Sequence, residues 1–453
     1  MRTLVTDGRD RLTPPLRARA LDAAYRQVHL TMGMIDDMLW ESRGSWNQRQ
    51  NDNDDPNAID WSGFQTAEVD ALRPKLFDLP EAKGFDGYYL GQRTSTRWAD
   101  RWLASLRSRD YDRYLDEAAE QIAAACIYWR DHVGPVPTYL QPFNEPLSGN
   151  RELAGGTTRD LVDLVSRVGD RLTREGFGYV RFVVPSEESE EASLRSAQAI
   201  LADPHARAYV GAIGYHPYPL TSAYANVPRL LHTSGRGHPE RDRIAVRARL
   251  RDLAHRYGLP LWMTEVAQGG VDPRSYDDFR GRAIHIHDEL TYADASVYSG
   301  MVSMADRTEG LHGSPVPIAD HEGTVVLIDS KAGTLDITGI GRAIGHYARW
   351  VERGAVRIDA EAGDALLQAT AFRDDVRRRL TLVLINNSGS ARTAAISVDG
   401  VSITGPISGE ESTPAAYWVP MKPFEASTSS RFEINMLALS VTTLVANVAP
   451  SAN

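Results

Sequence analysis

Apolar and polar positions follow two rhythms along this chain of 453 residues. Up to about residue 310, amphipathic stretches of helical spacing alternate with short, nearly continuous apolar runs, which is the pattern of helices covering both faces of a parallel sheet. Leu16 to Val28 reads as a helix, and so does Asp112 to Trp129, where Tyr114, Ala118, Ile122, Ala125 and Trp129 fall on one face. Further helices are expected over Thr157 to Glu175, with Thr157 or Thr158 as its cap, and over Ser193 to Leu201, Arg241 to Tyr257 and Tyr276 to Tyr292. The apolar runs Thr138 to Phe143, Tyr179 to Val184, Val210 to Tyr215 and Val297 to Met304 read as strands. Val210 to Tyr215 suits a strand buried on both faces, and His216-Pro217-Tyr218-Pro219 ends it.

After a last helix at Gly341 to Val351 the rhythm changes to strands without intervening helices. These are Ala355 to Ile358, Ala365 to Phe372, Leu380 to Ile385, Ala394 to Val398 and Ser440 to Val445, with turn signals at Asn386-Asn387-Ser388-Gly389 and Asp399-Gly400. The expected architecture is α/β: a (β/α)8 TIM barrel over residues 1–352 and a C-terminal antiparallel side β-sandwich over residues 353–453.

Composition changes this picture in few places. Apolar residues make up 42% of the chain, which permits a sizeable core, while 50 basic against 60 acidic side chains give a net charge of −10. That balance offers no electrostatic help for phosphate backbones, so no nucleic-acid partner is expected. The single cysteine, Cys126, lies in an Ala-rich helical face and reads as inert core. No run approaches the length of a spanning helix, and the first thirty residues lack the apolar region of a secretory signal. The chain therefore reads as soluble, cytoplasmic as given, or secreted if an N-terminal signal has been removed. Its oligomeric state is not legible.

The chemistry sits at the ends of two predicted strands. Asn144-Glu145-Pro146 closes the run Tyr139 to Phe143, and Glu265 closes Leu259 to Thr264. Two carboxylates at strand carboxyl ends are what glycoside hydrolysis needs, since one must protonate the departing oxygen while the other attacks the sugar carbon. The roughly 120 residues between them hold three strand-plus-helix units of about forty residues each, which puts the pair on the fourth and seventh strands of a barrel.

Together Gln141 to Pro146, Trp262 to Val266 and the run Gly345 to Ile358 resemble glycoside hydrolase family 30, in the clan of (β/α)8 retaining glycosidases. The last run resembles the segment that joins the final barrel helix to a side β-sandwich in that family. The resemblance extends over about residues 12 to 445 and implies Glu145 as acid/base and Glu265 as nucleophile. No cofactor and no metal are expected. It further implies that Asn144 hydrogen-bonds the sugar 2-hydroxyl, and that His216 and Tyr218 form a His-x-Tyr pattern beside the nucleophile, the tyrosine hydroxyl donating to its carboxylate.

The chain departs from that pattern in three places. Only Arg2 to Thr6 is available as a first strand, no arginine ends the second strand unless Arg43 or Arg49 reaches in, and the eighth strand lacks a tryptophan, with Tyr298 the nearest aromatic. Trp40, Trp46, Trp61, Trp98 and Trp102 are expected near the active face, one or two of them, such as Trp46 and Trp98, stacking on sugar rings. The Asn51 to Pro56 segment, with Asp54, reads as a sugar-binding loop in preference to a calcium loop, because it lacks the glycine and distal glutamate of an EF-hand. The expected function is a retaining β-glycosidase acting on a β-linked glycan or glycoconjugate. The alternative is a catalytically decayed barrel that binds carbohydrate.

Overall fold

The computed structural model describes residues 12–36, 40–41, 53, 55–82, 87–91, 101–148, 156–218, 241–266, 272–300, 302–308, 324–364 and 366–450. Seven strands among them form one parallel sheet paired in chain order: β1 (Gly33–Asp36), β2 (Tyr88–Gly91), β3 (Tyr139–Gln141), β4 (Arg181–Glu187), β5 (Val210–Tyr215), β6 (Leu261–Met263) and β7 (Val297–Tyr298). The sheet curls on itself as a (β/α)8 barrel does. Met34, Tyr89, Tyr139, Val183, Ala212, Trp262 and Val297, one from each strand, share a single apolar cluster, with the Trp262 ring 4.7 Å from Tyr139 and 5.5 Å from Tyr89. The expected first strand, Arg2 to Thr6, lies outside the described residues, so β1 to β7 correspond to the second to eighth strands of the sequence reading.

Helices follow the strands and form the outer layer. They include α1 (Pro14–Asp22), α2 (Tyr111–His132), α3 (Thr158–Arg174), α4 (Glu190–Ala202), α5 (Arg241–Tyr257) and α6 (Tyr276–Tyr292). Thr157 caps α3 through a full capping box, its hydroxyl accepting from the Asp160 N–H while the Asp160 carboxylate accepts from the Thr157 N–H. Cys126 is buried in α2, as its surroundings imply. No helix among the described residues is long and apolar enough to cross a membrane.

The Val297 to Met304 run does not form one strand. It breaks at Ser299-Gly300, and β8 (Val302–Asp306) pairs instead with β9 (Thr324–Asp329), which pairs with β10 (Thr334–Ile337). This small sheet, unforeseen in the sequence, leads into α7 (Gly339–Ala348).

Beyond α7, β11 (Val356–Ile358), β12 (Leu367–Asp374), β13 (Arg379–Asn386), β15 (Val401–Thr413), β16 (Ala416–Pro420) and β18 (Ser440–Pro450) form a six-stranded antiparallel sheet, and β14 (Arg392–Ser397) pairs with β17 (Arg431–Met436). Leu382, Leu384, Ile403, Phe432, Ile434 and Leu444 close the core of this sandwich. Strands β15, β16 and β17 went unread: β15 shifts register between Thr404 and Ser408, which interrupts its alternation. Asn386, which opens the expected turn to Gly389, is buried and donates to the Ser390 and Leu437 carbonyls at 2.9 and 2.8 Å, a structural role.

The sandwich packs directly on the barrel. Phe279, Ile284 and Ile286 of α6 and Ala343 and Tyr347 of α7 form one cluster with Phe372, Val383, Ile385 and Val441 of the sandwich. Arg349 and the Trp350 indole both reach Glu410, at 2.8 and 2.9 Å.

His346 is the polar centre of this interface. Thr443 Oγ1 donates to the His346 carbonyl at 2.9 Å and so must accept from Nδ1, also at 2.9 Å; Ser412 Oγ accepts from the Trp418 N–H and has its own proton to give to Nε2, at 2.7 Å. In the neutral ring the proton therefore sits on Nδ1. Desolvation, seconded by the charge of Arg349, pushes its pKa down to about 3. An unfolded histidine titrates near 6.5, so between these values only the unfolded chain binds the proton, and stability present above about pH 6.5 is lost as pH falls towards 3. Urea denaturation at several pH values should show the slope of stability against pH in His346→Gln shallower than wild type by about 1.4 kcal/mol per pH unit in this window. Equal slopes would mean that His346 is not buried neutral.

Candidate active site

The backbone hydrogen bonding of the parallel sheet continues past the ends of β3 to β6, and the candidate residues lie on that continuation. The Glu145 N–H donates to the Ser186 carbonyl at 2.8 Å, the His216 N–H to the Glu187 carbonyl at 3.1 Å, the Tyr218 N–H to the Glu188 carbonyl at 3.0 Å, and the Thr264 N–H to the Tyr215 carbonyl at 3.0 Å. Glu145 follows β3 and Glu265 follows β6, three strands apart, at the carboxyl end of the sheet where barrel enzymes keep their chemistry.

The side chains converge. His216 Nδ1 lies 2.9 Å from Glu145 Oε1 and 3.9 Å from Glu265 Oε1, and one ligand atom from each of the three falls within 4.8 Å of the others. The Tyr218 hydroxyl donates to Glu265 Oε1 at 3.3 Å, and its ring stands edge-on to His216. Asn144 is buried beside Glu145, where its Oδ1 accepts from Gln141 Nε2 at 3.4 Å. Thr264 Oγ1 lies 3.3 Å from Ser186 Oγ, tying the strand of one glutamate to the strand that holds the other. His216 is completely buried while Glu145 and Glu265 keep 6% and 8% exposure, so the carboxylates are what a substrate would meet. Two carboxylates and an imidazole are also a donor set for a divalent transition metal, although Nδ1 is already within hydrogen-bond distance of Glu145.

Glu145 has φ +50° and Ser186 φ +54°, both in the left-handed region that side chains avoid. Such conformations persist where surrounding contacts over-determine them.

The sequence reading missed Glu187, the last residue of β4. It is buried, and its Oε2 accepts from the Leu147 and Ser148 N–H groups at 3.1 Å each and from Ser148 Oγ at 2.7 Å, while Oε1 accepts from Ser196 Oγ at 2.9 Å. Burial raises its pKa above the usual carboxylate range, against the lowering effect of these donors. It stands in the acidic run Glu187 to Glu191 just before α4, where the buried Glu190 turns to Arg247 while Glu187 turns to the loop after β3. Its signal was position, at the carboxyl end of a predicted barrel strand.

Other candidates lie elsewhere. Trp46, Trp98, Asp54, Arg43 and Arg49 are outside the described residues. Around Asp54, the Asp55 N–H donates to Asn53 Oδ1 at 2.6 Å in a local turn, and the Pro56 carbonyl accepts from Arg171, at the end of α3 remote from Glu145. Trp61 packs on Phe64 and on Tyr128 in the last turns of α2, again at the opposite end of the barrel from the carboxylates. Tyr298 does not take the place of a strand-8 tryptophan: its ring faces away from the cluster inside the barrel, with its hydroxyl 2.9 Å from His285 Nδ1. His287 turns to Thr370, at 2.7 Å, so the two α6 histidines diverge as their spacing implies.

No family model matches the chain, and no curated protein matches it in sequence. Its fold does match solved structures. The glycoside hydrolase family 30 subfamily 8 xylanase of Clostridium acetobutylicum superposes with a TM-score of 0.65 at 16% identity, covering 95% of this chain and 92% of that one. The catalytic domain of a family 30 xylanase from Talaromyces cellulolyticus gives 0.65 at 14% identity, over 96% and 93%. An endo-β1,6-glucanase gives 0.62 at 14% identity, over 96% and 87%. The chain has the fold of these proteins over nearly its whole length, barrel and sandwich together.

Behind β5, on the face opposite His216, Tyr215 donates to Glu289, which also pairs with Arg247 and lies 3.0 Å from His285 Nε2. Arg247 is in turn 3.4 Å from Glu190. Desolvation acts to raise the Glu289 carboxyl, but Arg247 and the neighbouring donors outweigh it and hold its pKa below the ordinary range. All these groups are buried, so removing one charge leaves the other unpaired in a low dielectric. Arg247→Leu should destabilise the protein by about 3–5 kcal/mol in urea denaturation. A loss under about 1 kcal/mol would show that the pair does not anchor β5.

Proposed function

We propose that this protein is a retaining β-glycosidase of the family 30 type. The observation that carries the reading is the short approach of Glu145 and Glu265, whose oxygens come within 4.8 Å of each other. Inverting enzymes hold their carboxyl groups about 6.5–9.5 Å apart to admit a water, and retaining enzymes about 5–5.5 Å. The shared fold of the two xylanases and the endo-β1,6-glucanase supports a carbohydrate substrate and a β-linkage. Candidate substrates are xylan, a β-1,6-linked galactan or glucan, or a smaller β-glycoside. No observation favours a decayed, binding-only barrel.

In this reading Glu265 attacks the anomeric carbon while Glu145 protonates the departing oxygen, and a glycosyl ester forms on Glu265. Water, deprotonated by Glu145, then releases the sugar with its configuration restored. Tyr218 donates to Glu265 Oε1 and so favours the ionised nucleophile. His216, between the two and nearer Glu145, orients that carboxyl by a hydrogen bond whose direction follows its protonation. Asn144 would read the 2-hydroxyl, where a contact that strengthens in the transition state accelerates the reaction.

Two variants test the roles. Glu265→Ala should lose turnover by a factor of about 10⁴ or more, with azide restoring it as the α-glycosyl azide. Glu145→Ala should keep activity on activated aryl glycosides, which need no proton, and azide should then give the β-anomer. Products with the anomers exchanged would reverse the assignment, and an inverted first product by NMR would remove the retaining mechanism.

A further inference from the structure

Glu145 cannot hold its own backbone. A non-glycine residue at φ +50° sits there at a cost of about 1–3 kcal/mol, and its conformation must be fixed from outside. Two contacts do so, one on each side, and both come from the end of β4. The Ser186 carbonyl takes the Glu145 N–H, and two residues further on the Glu187 carboxylate takes the Leu147 N–H, the Ser148 N–H and the Ser148 hydroxyl. Ser148 Oγ closes the circuit by accepting from the Glu188 N–H at 2.9 Å.

A carboxylate is suited to this task because it accepts several donors at once, and hydrogen bonds to a charged acceptor are about twice as strong as neutral ones. Its far oxygen is fixed by Ser196 on α4, so the fork is braced against a helix and not against solvent. The same residue reaches the other side of the site, because its backbone carbonyl accepts from the His216 N–H. One residue thus sets the acid/base loop through its side chain and the His216 segment through its main chain.

We infer that Glu187 is a positioning residue: it fixes the loop after β3 so that Glu145 is aimed at the departing oxygen. This rests on the glycosidase reading above. It does not touch the reacting atoms itself. A displacement of about 1 Å in an acid/base group costs on the order of 100-fold, and only in steps that require its proton.

The test compares kcat/KM for matched leaving groups, using 2,4-dinitrophenyl, 4-nitrophenyl and methyl β-glycosides of xylo- and gluco-oligosaccharides. In Glu187→Ala the methyl glycosides should lose roughly 100-fold and the dinitrophenyl glycosides less than about threefold, because the latter leave without protonation. Glu187→Gln, which keeps one acceptor oxygen for the loop, should recover most of the loss. If Glu187→Ala does not fold, Ser148→Ala deletes only the 2.7 Å bond and its neighbour and should give the same selective pattern at about fivefold. A loss equal for all leaving groups, or no loss, would overturn the role of Glu187 while leaving the glycosidase reading intact. A wild-type protein inactive on every member of the panel would instead overturn that reading, and this inference with it.

Discussion

The arrangement of the site depends on a hydrogen-bonded ladder that does not stop where the strands stop. A parallel sheet spaces its strands evenly and slants its bonds in one direction, so each strand end is offset from its neighbour in a fixed sense. Here the ladder runs on through Glu145 to Ser186, His216 to Glu187 and Thr264 to Tyr215. Three loops that would otherwise be free to differ are thereby tied to a common frame. The relative placement of two glutamates about 120 residues apart follows from main-chain pairing, and side-chain contacts only refine it.

Much of this was legible in the chain because periodicity and position agree. The limits of β5, α5 and α6 match the sequence reading residue for residue, since each is bounded by a sharp change from apolar rhythm to Gly, Pro or a cap. Glu145 and Glu265 could be brought together on paper because strand ends in this fold face one way, whereas His216 and Tyr218 joined them through the family resemblance. What stayed hidden depends on direction, which a linear pattern does not encode. Glu187 is one acidic residue in a run of acidic residues, and only the turn of β4 into α4 decides which of them points inward. Tyr298, the nearest aromatic to the missing strand-8 tryptophan, shows the same dependence: the two-residue alternation of a strand sends it outward while Val297 faces the barrel. The strands β9 and β10 were lost for a different reason, since they are inserted between the last barrel strand and α7, where a simple strand-helix alternation predicts nothing.

Two buried polar groups separate roles that the surface does not distinguish. Around Glu289, ionised charge is compensated by Arg247 and kept permanently paired. Around His346, the same burial is met by two hydroxyls and no ion pair. The first arrangement stiffens the back of the strand that leads to His216, and the second joins the sandwich to the last helix. In both cases burial keeps water away, so the protonation states are set by the neighbouring groups and not by solvent.

The mixed cluster of α6, α7 and the sandwich has a consequence for how the molecule comes apart. Phe279, Tyr347, Phe372 and Val383 lie in one apolar body, so neither half can expose its face without exposing the other's. Two modules joined by a tether melt separately and show two heat-absorption peaks. A pair that shares its interior melts as one, with a calorimetric enthalpy equal to the van't Hoff value. The sandwich is then a structural wall of the hydrolase fold, not a passenger, and lineages that kept the barrel while discarding this wall would have had to rebuild the outer surface of its last two helices.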